Sequence, residues 1–441
     1  MIPSVEDVKD ARKVLQAYNI NKTPLQKSNT FSNIIGSNLY LKNESLQTTG
    51  TFKIRGALYK IDKLVKEHRV MNRELNMSNY INPVRQNGRV NKSSGGNIIG
   101  IIAASAGNHA QGVALASKIN NLPCTIVMPT KAPPSKIAAT KSYGAKVILE
   151  GTDYDDALQL SRKIAKDEDL YQIHAYDDYD VIAGQGTIGL EILEDLPQVD
   201  EVYVPIGGGG LASGIAIAIK SMKPEVKIIG VESEAYPAMK ESLEKGSICS
   251  IKSGNTIADS ISIKSPGHLT FEILKKHLDG LVLVDDSSII RAMFLLMERE
   301  KMVIEPSGAA ALAYLLKTSE KNGKTDQTQY ENNTKKNVVA LLSGGNIDMY
   351  LLGQVVSKGL KQAGRLFKVF VKLPDKPGAF KSVLDSIVDL GINIVEVSHD
   401  RLSPNVPPGM AGVSLSLEME NDTYAERLVS LLRERGIDFT V

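Results

Sequence analysis

Lys53 lies in TGTFKIRGA (49–57), behind a Gly/Thr-rich turn and at the mouth of a helical pattern. A primary amine placed there can attack a carbonyl and hold a cofactor covalently. Three more glycine-punctuated segments follow, SAGNHAQG (105–112), GGGGL (207–211) and SGGN (343–346), each where an apolar strand gives way to a helix. In GGGGL, successive N–H groups free of side chains can close around an anion, and the helix N-terminus adds positive partial charge. That is a phosphate cradle. The same letters fit a dinucleotide turn: Gly207, Gly209 and Ala212 satisfy GxGxxA, and Glu232 ends the next strand where a ribose-binding acid would sit. A nicotinamide enzyme has no general need for a lysine beside a glycine turn, nor for SAGNHAQG and SGGN at further strand ends. An aldehyde cofactor carrying a phosphate needs an amine, donors for its phenolic oxygen and for the substrate carboxylate, and a partner for its ring nitrogen. Four strand ends around one lysine therefore read as a single cofactor site.

Placing those segments together takes a parallel sheet. The apolar runs IIGIIAAS (98–105), CTIVMP (124–129), KVILE (146–150), EVYVPI (201–206), KIIGVES (227–233) and NVVALLS (337–343) read as buried strands. Helical patterns over 52–66, 108–119, 135–143, 187–196 and 287–302 alternate with them, which implies right-handed crossovers and an α/β sheet covered on both faces. Two polar, asparagine-rich stretches interrupt the rhythm, at 68–97 and 317–336, and read as surface insertions without a packed core. Beyond them the pattern changes to strand, helix, strand, strand, helix, strand, a ferredoxin-like βαββαβ unit over 365–441, so a boundary is expected close to Gly364.

Composition narrows the function classes. With 441 residues, 42% hydrophobic and 23% charged, the chain has room for more than one domain. Lys plus Arg (52) against Asp plus Glu (50) leaves a net charge of +2 and no basic stripe, and tryptophan is absent, which speaks against nucleic acid. Cys124 and Cys249 stand far apart and outside any CxxC spacing, so neither a disulfide framework nor a thiolate metal site is expected. No apolar segment reaches membrane-spanning length and the N-terminus carries early acids, so the expected setting is the cytoplasm and the expected partners are small molecules and further copies of the chain.

The six ordered segments TGTFKIRGA, SAGNHAQG, GGGGL, TIADSISIKSPG (256–267), EPSGAAALA (305–313) and SGGN resemble those of the pyridoxal-phosphate threonine ammonia-lyases. The resemblance implies the two-domain fold type II architecture, similar to the tryptophan synthase β chain, over 1–364. It also implies β-elimination of L-threonine to 2-oxobutanoate and ammonia, with some activity on L-serine. In its terms Lys53 is the Schiff-base lysine and Phe52 packs beside pyridoxal phosphate. Asn108 bonds the phenolic oxygen, and Gly207, Gly208, Gly209, Gly210 and Leu211 hold the phosphate. Ser343 faces the ring nitrogen, while Ser105, Ala106, Gly107 and Asn108 receive the substrate carboxylate. His109 reads as a packing residue, since the lysine already serves as base. A serine dehydratase of the same superfamily is the nearest alternative, and a nicotinamide oxidoreductase or a non-catalytic amino-acid sensor stand further off.

Some positions depart from the resemblance. Thr51 replaces a common serine and Ser260 a common glycine, which bears on substrate preference. Racemases of the superfamily carry a serine where Ala106 stands, and relatives that bind a divalent cation have a carboxylate where Ala238 stands, so neither racemisation nor a required metal is expected. The C-terminal DKPGAF (375–380) and EVSHDR (396–401) resemble an ACT regulatory domain. That implies a homotetramer or homodimer and an amino-acid effector beside Asp375, Lys376, Pro377 and Gly378.

Overall fold

A computed structural model describes residues 2–81, 100–252, 254–321 and 335–441. In chain order the strands are β1 (Leu25–Ser28), β2 (Asn38–Asn43), β3 (Ile101–Ala104), β4 (Cys124–Met128), β5 (Lys146–Leu149), β6 (Tyr171–Gln172), β7 (Glu201–Pro205), β8 (Lys227–Ser233), β9 (Gly280–Val284), β10 (Asn337–Leu342), β11 (Leu366–Pro374), β12 (Asn393–Asp400), β13 (Met410–Glu418) and β14 (Asp438–Thr440). The six apolar runs all form strands, as their lack of polar alternation requires of sheets buried on both faces. Contacts divide the chain into Met1–Asp348 and Met349–Val441.

The first unit holds two sheets. One is six-stranded, in the order β1-β2-β10-β7-β8-β9, and the other four-stranded, in the order β5-β4-β3-β6. Every pairing is parallel except β1 with β2. Short, partly polar β1 and β2 carry little periodic signal, and the pairing that joins β2 to β10 spans most of the chain, so no local pattern announces them. The larger sheet buries Val202, Val204, Ile228, Val339 and Leu341 against Ile215 and Ile219 of the helix Gly210–Met222. The smaller buries Ile101, Ala103, Ile126 and Met128 against Ile54, Leu58 and Ile61 of the helix Lys53–Ile81. Phe52, one residue before that helix, packs instead on the larger sheet's core. The lysine thus starts its helix at the seam between two hydrophobic cores.

Several expectations are corrected. The lysine helix does not stop at 66: EHRVMNRELNM contains neither glycine nor proline, and the helix continues to Ile81, so residues 68–81 are helical rather than loop. The helix Pro306–Lys321 takes up the start of the second polar stretch, and what remains of the two, 82–97 and 322–334, lies outside the described residues. The helix expected over 187–196 begins earlier, at Tyr179, because Asp178 accepts hydrogen bonds from the N–H groups of Asp180 and Val181 and caps it there.

The second unit is an antiparallel sheet in the order β12-β13-β11-β14, the βαββαβ arrangement read from sequence. Val383 and Ile387 of one helix and Leu428 and Leu432 of another cover the sheet beside Val371, Val413 and Leu415. The helix Met349–Gln362 goes with this unit, so the division falls before that helix rather than near Gly364. Among the described residues, no helix is long and apolar enough to cross a membrane.

Candidate active site

Lys53 is the first residue of its helix, and its Nζ donates to the Ala175 carbonyl at 3.0 Å. Burial pushes the amine down to about 8, against an opposing pull from the Glu305 carboxylate. The Phe52 ring lies 5.1 Å from the same nitrogen, measured to the ring centroid. The segment before the lysine is stitched to SGGN. Thr51 and Gly344 form a lone antiparallel bridge, the Phe52 N–H donates to Ser343 O at 3.3 Å, and the Gly345 N–H donates to Gly50 O at 2.9 Å. Ser343 is buried, and its hydroxyl has no hydrogen-bond partner among the described residues.

SAGNHAQG leaves the end of β3 and enters the helix Asn108–Ile119, whose Gly112 allows close approach: a Cβ there would stand 3.0 Å from the carbonyl carbon of Lys53. Gly107, not Asn108, is the residue preceding this helix, which frees the Asn108 side chain for other work. Its Nδ2 donates to both Glu305 oxygens at 2.8 and 3.0 Å and to Ser260 Oγ at 3.3 Å. Its Oδ1 accepts from Asn346 Nδ2 at 3.0 Å, and Asn346 Nδ2 also donates to Thr49 O at 2.8 Å. Motifs far apart in sequence therefore meet around one amide. In the turn itself the Gly107 N–H donates to Ser105 Oγ at 3.1 Å, Ala106 packs on the smaller sheet's core, and a Cβ on Gly107 would meet nothing within 4 Å. His109 is buried with Nε2 3.0 Å from Ile173 O, and desolvation, helped by Lys53, drives its pKa down to about 3, so it remains a neutral packing group.

The GGGGL turn ends β7 and opens the helix Gly210–Met222. Gly209 has φ of +94°, which favours glycine, and the first N–H groups of the helix lack intrahelical acceptors. Thr270 Oγ1 donates to Gly208 O at 2.7 Å and fixes the turn from outside. Tyr176, next to the carbonyl that receives Lys53, lays its ring on the turn so closely that a Cβ on Gly208 would lie 2.4 Å from ring carbons. Glu232 is not offered to a ribose: both oxygens accept backbone N–H groups, from Met239 and Lys240 at 2.9 Å, and so hold the helix Ala238–Lys245.

Beneath the lysine, Arg55 is fully buried. Its Nε and Nη2 both reach Glu44 at 2.9 Å, its Nη1 donates to Glu191 at 2.6 Å, and Lys42 Nζ donates to the same Glu191 at 2.6 Å. Burial alone would lower the guanidinium pKa, but the two carboxylates outweigh it and the net direction is up. Two cations and two anions lock the lysine helix to β2 and to the helix Tyr179–Asp195. Asn346, Glu305 and Tyr176 are the site neighbours that sequence reading missed. Asn346 and Glu305 sit inside quoted motifs, but nothing local says which side chain turns inward. Surface depressions of about 320 Å³ on the second unit's sheet and about 470 Å³ beside Lys220 and His277 contain none of these residues.

An amine of lowered pKa at a helix start, a glycine turn at a helix N-terminus and the hydroxyl of buried Ser343 are the donor set of a phosphate-bearing aldehyde cofactor. Residues 17–344 match the family described as pyridoxal-phosphate dependent enzyme. The chain belongs to that family. It is 41% identical over 440 residues to an L-threonine ammonia-lyase of Thermotoga maritima, covering 99% of both chains. Among solved structures it is similar to maize serine racemase (TM-score 0.68, 31% identity, 82% of this chain and 99% of that one). It is also similar to the processed form of threonine deaminase isoform 2 from Solanum lycopersicum (TM-score 0.68, 32% identity, 81% and 94%). Pyridoxal phosphate is the cofactor of this pyridoxal-phosphate dependent enzyme, and the residues fit it: the lowered pKa gives the amine a sizeable neutral fraction near neutrality, and the glycine turn carries no side chains of its own. The dinucleotide reading of Gly207, Gly209 and Ala212 is set aside.

Proposed function

We propose that this enzyme is a threonine ammonia-lyase, converting L-threonine to 2-oxobutanoate and ammonia, with L-serine as a lesser substrate. The observation that carries the reading is Lys53, an amine with pKa near 8 held by the Ala175 carbonyl next to Tyr176, whose ring lies on the glycine turn, and with the SAGNHAQG helix packed against its backbone at Gly112. The full-length likeness to an L-threonine ammonia-lyase supports the substrate.

Bound at Lys53, pyridoxal phosphate supplies the electron sink that weakens the bonds to the substrate's Cα. The chain's own residues do the rest. Backbone N–H groups of Gly207, Gly208, Gly209, Gly210 and Leu211 hold the phosphate at the helix N-terminus. Asn108 donates to the phenolic oxygen. Ser343 would face the ring nitrogen and, carrying no charge, would favour prompt loss of the β-hydroxyl. Ser105, Ala106 and Gly107, ahead of the helix that Asn108 begins, receive the substrate carboxylate. Lys53, as a neutral amine, takes the Cα proton, for which a pKa near 8 is well matched to neutral solution. Ala106 offers no acid on the opposite face of Cα, which favours elimination over racemisation.

The second unit acts as an ACT-like regulatory domain. Its loop before the helix Lys381–Asp389 has Gly378 at φ of +85°, and Asp375 pairs with Arg401 at 2.9 Å. Asp375, Lys376, Pro377 and Gly378 bind a branched amino acid, isoleucine or valine, in a homotetramer or homodimer in the cytoplasm. The deciding experiment is the visible spectrum of the purified protein during addition of L-threonine, with 2-oxobutanoate assayed on the same sample. A shifting band with product accumulating supports the reading, and Lys53→Ala abolishes both. A fixed band without product rejects threonine.

A further inference from the structure

The Asn108 amide is held on three sides, and one of them is unusual. Glu305, the residue before the helix Pro306–Lys321, is 3% exposed and forms no ion pair within 4 Å among the described residues. The hydrogen-bond donor to its side chain is Asn108 Nδ2. A buried carboxylate held by one neutral amide is a poor way to stabilise a fold, since desolvation outweighs so small a return. Room has been left for it all the same: a Cβ on Gly344 would lie 3.0 Å from Glu305 Oε1.

What the contact does well is orient an amide. Asn108 can face a carboxylate only with its NH₂ end, and its oxygen faces Asn346 Nδ2, which Thr49 O fixes in turn. The second N–H of Asn108 then points to Ser260 Oγ at 3.3 Å, the longest of its bonds and the one made to an exposed residue. That N–H is the donor a bound cofactor's phenolic oxygen can claim. Without Glu305 the amide could turn and present its oxygen, which would repel a phenolate.

We propose that Glu305 is a positioning residue, fixing the Asn108 amide so that an N–H faces the cofactor oxygen while its own negative charge acts on the lysine nitrogen. The inference rests on the cofactor roles given above to Lys53 and Asn108. The charged groups facing Glu305 are Asp259 from the turn Asp259–Ile261, Lys136 from the helix Pro134–Ser142, and Lys53. Burial, then Asp259, push Glu305 up to about 7, against Asn108, Lys136 and Lys53, so it is ionised above neutrality, where it favours the protonated lysine nitrogen.

Two variants separate orientation from charge. Glu305→Gln keeps an acceptor for Asn108 and loses the charge, whereas Glu305→Ala loses both. Each is loaded with pyridoxal phosphate, and affinity and the pH midpoint of the visible band are read by absorbance titration, with the melting temperature recorded alongside. The expected results are affinity within about threefold of wild type and a midpoint moved to lower pH for Glu305→Gln, and affinity weakened about tenfold for Glu305→Ala, the loss of one hydrogen-bonded contact. A merely structural role would lower the melting temperature and leave the midpoint in place, and an unmoved midpoint in folded Glu305→Gln overturns the proposal even if Glu305→Ala fails to fold. Absence of any visible band in loaded wild type would instead overturn the underlying assignment of Lys53.

Discussion

Capture of pyridoxal phosphate by the empty protein should follow the titration of Lys53, because only the neutral amine attacks an aldehyde. An ordinary lysine titrates at 10.5 and this one near 8, so the depression is about two and a half units. Near neutrality that raises the neutral fraction roughly 300-fold, to about one molecule in ten, compared with an exposed lysine. The direction follows from burial: the helix start lies at the seam of two cores, where the charged form is penalised and Glu305 recovers part of the loss. Stopped-flow absorbance of the growing visible band, with cofactor in excess across the alkaline range, measures the rate directly. The rate should rise tenfold per pH unit below the midpoint and level off above about 8. A rate that keeps rising to the pKa of free lysine would refute the reasoning, since it would mean that Lys53 is solvated and its surroundings exert no control.

Gly208→Ala should weaken cofactor binding and lower stability by about 1–3 kcal/mol, because the new methyl overlaps the Tyr176 ring, and a paired Tyr176→Ala change should restore much of the melting temperature. Arg55→Ala leaves Glu44 and Glu191 buried without their guanidinium, and urea unfolding should report a loss of about 3–5 kcal/mol. Treatment with a chelator should leave turnover of L-threonine intact, because Glu232 already accepts two backbone N–H groups and Ala238 supplies no ligand. A chelator-sensitive rate restored by magnesium would contradict that account.

The elements with strong local signals were legible in the sequence. Buried strands such as β3 and β10 are continuous apolar runs, and the glycine turn at 207–210 needs only its own letters to be read as a helix entry. The position of Lys53 at the start of a helix was legible for the same reason. The hydrogen bonds of the site were not. Glu305 and Asn108 are 197 residues apart, and Asn346 and Asn108 are 238 apart, so no window of sequence contains either pair. The capping role of Glu232 was hidden in another way: an acid at the end of a strand fits a ribose as well as it fits a helix start, and only the position of the following helix decides.

The pairing of β2 with β10 governs the order in which this protein can be finished. β3 to β6 are contiguous between 101 and 172, so the smaller sheet can form while the ribosome is still at work on the middle of the chain. The larger sheet cannot, because β2 waits for a partner that is translated near residue 340, and the Thr51–Gly344 bridge waits with it. A nascent chain stopped before β10 would carry the lysine, SAGNHAQG and the whole glycine turn, yet the segment ahead of Lys53 would have nothing to close against. Closure of the segment ahead of Lys53 therefore comes late in synthesis.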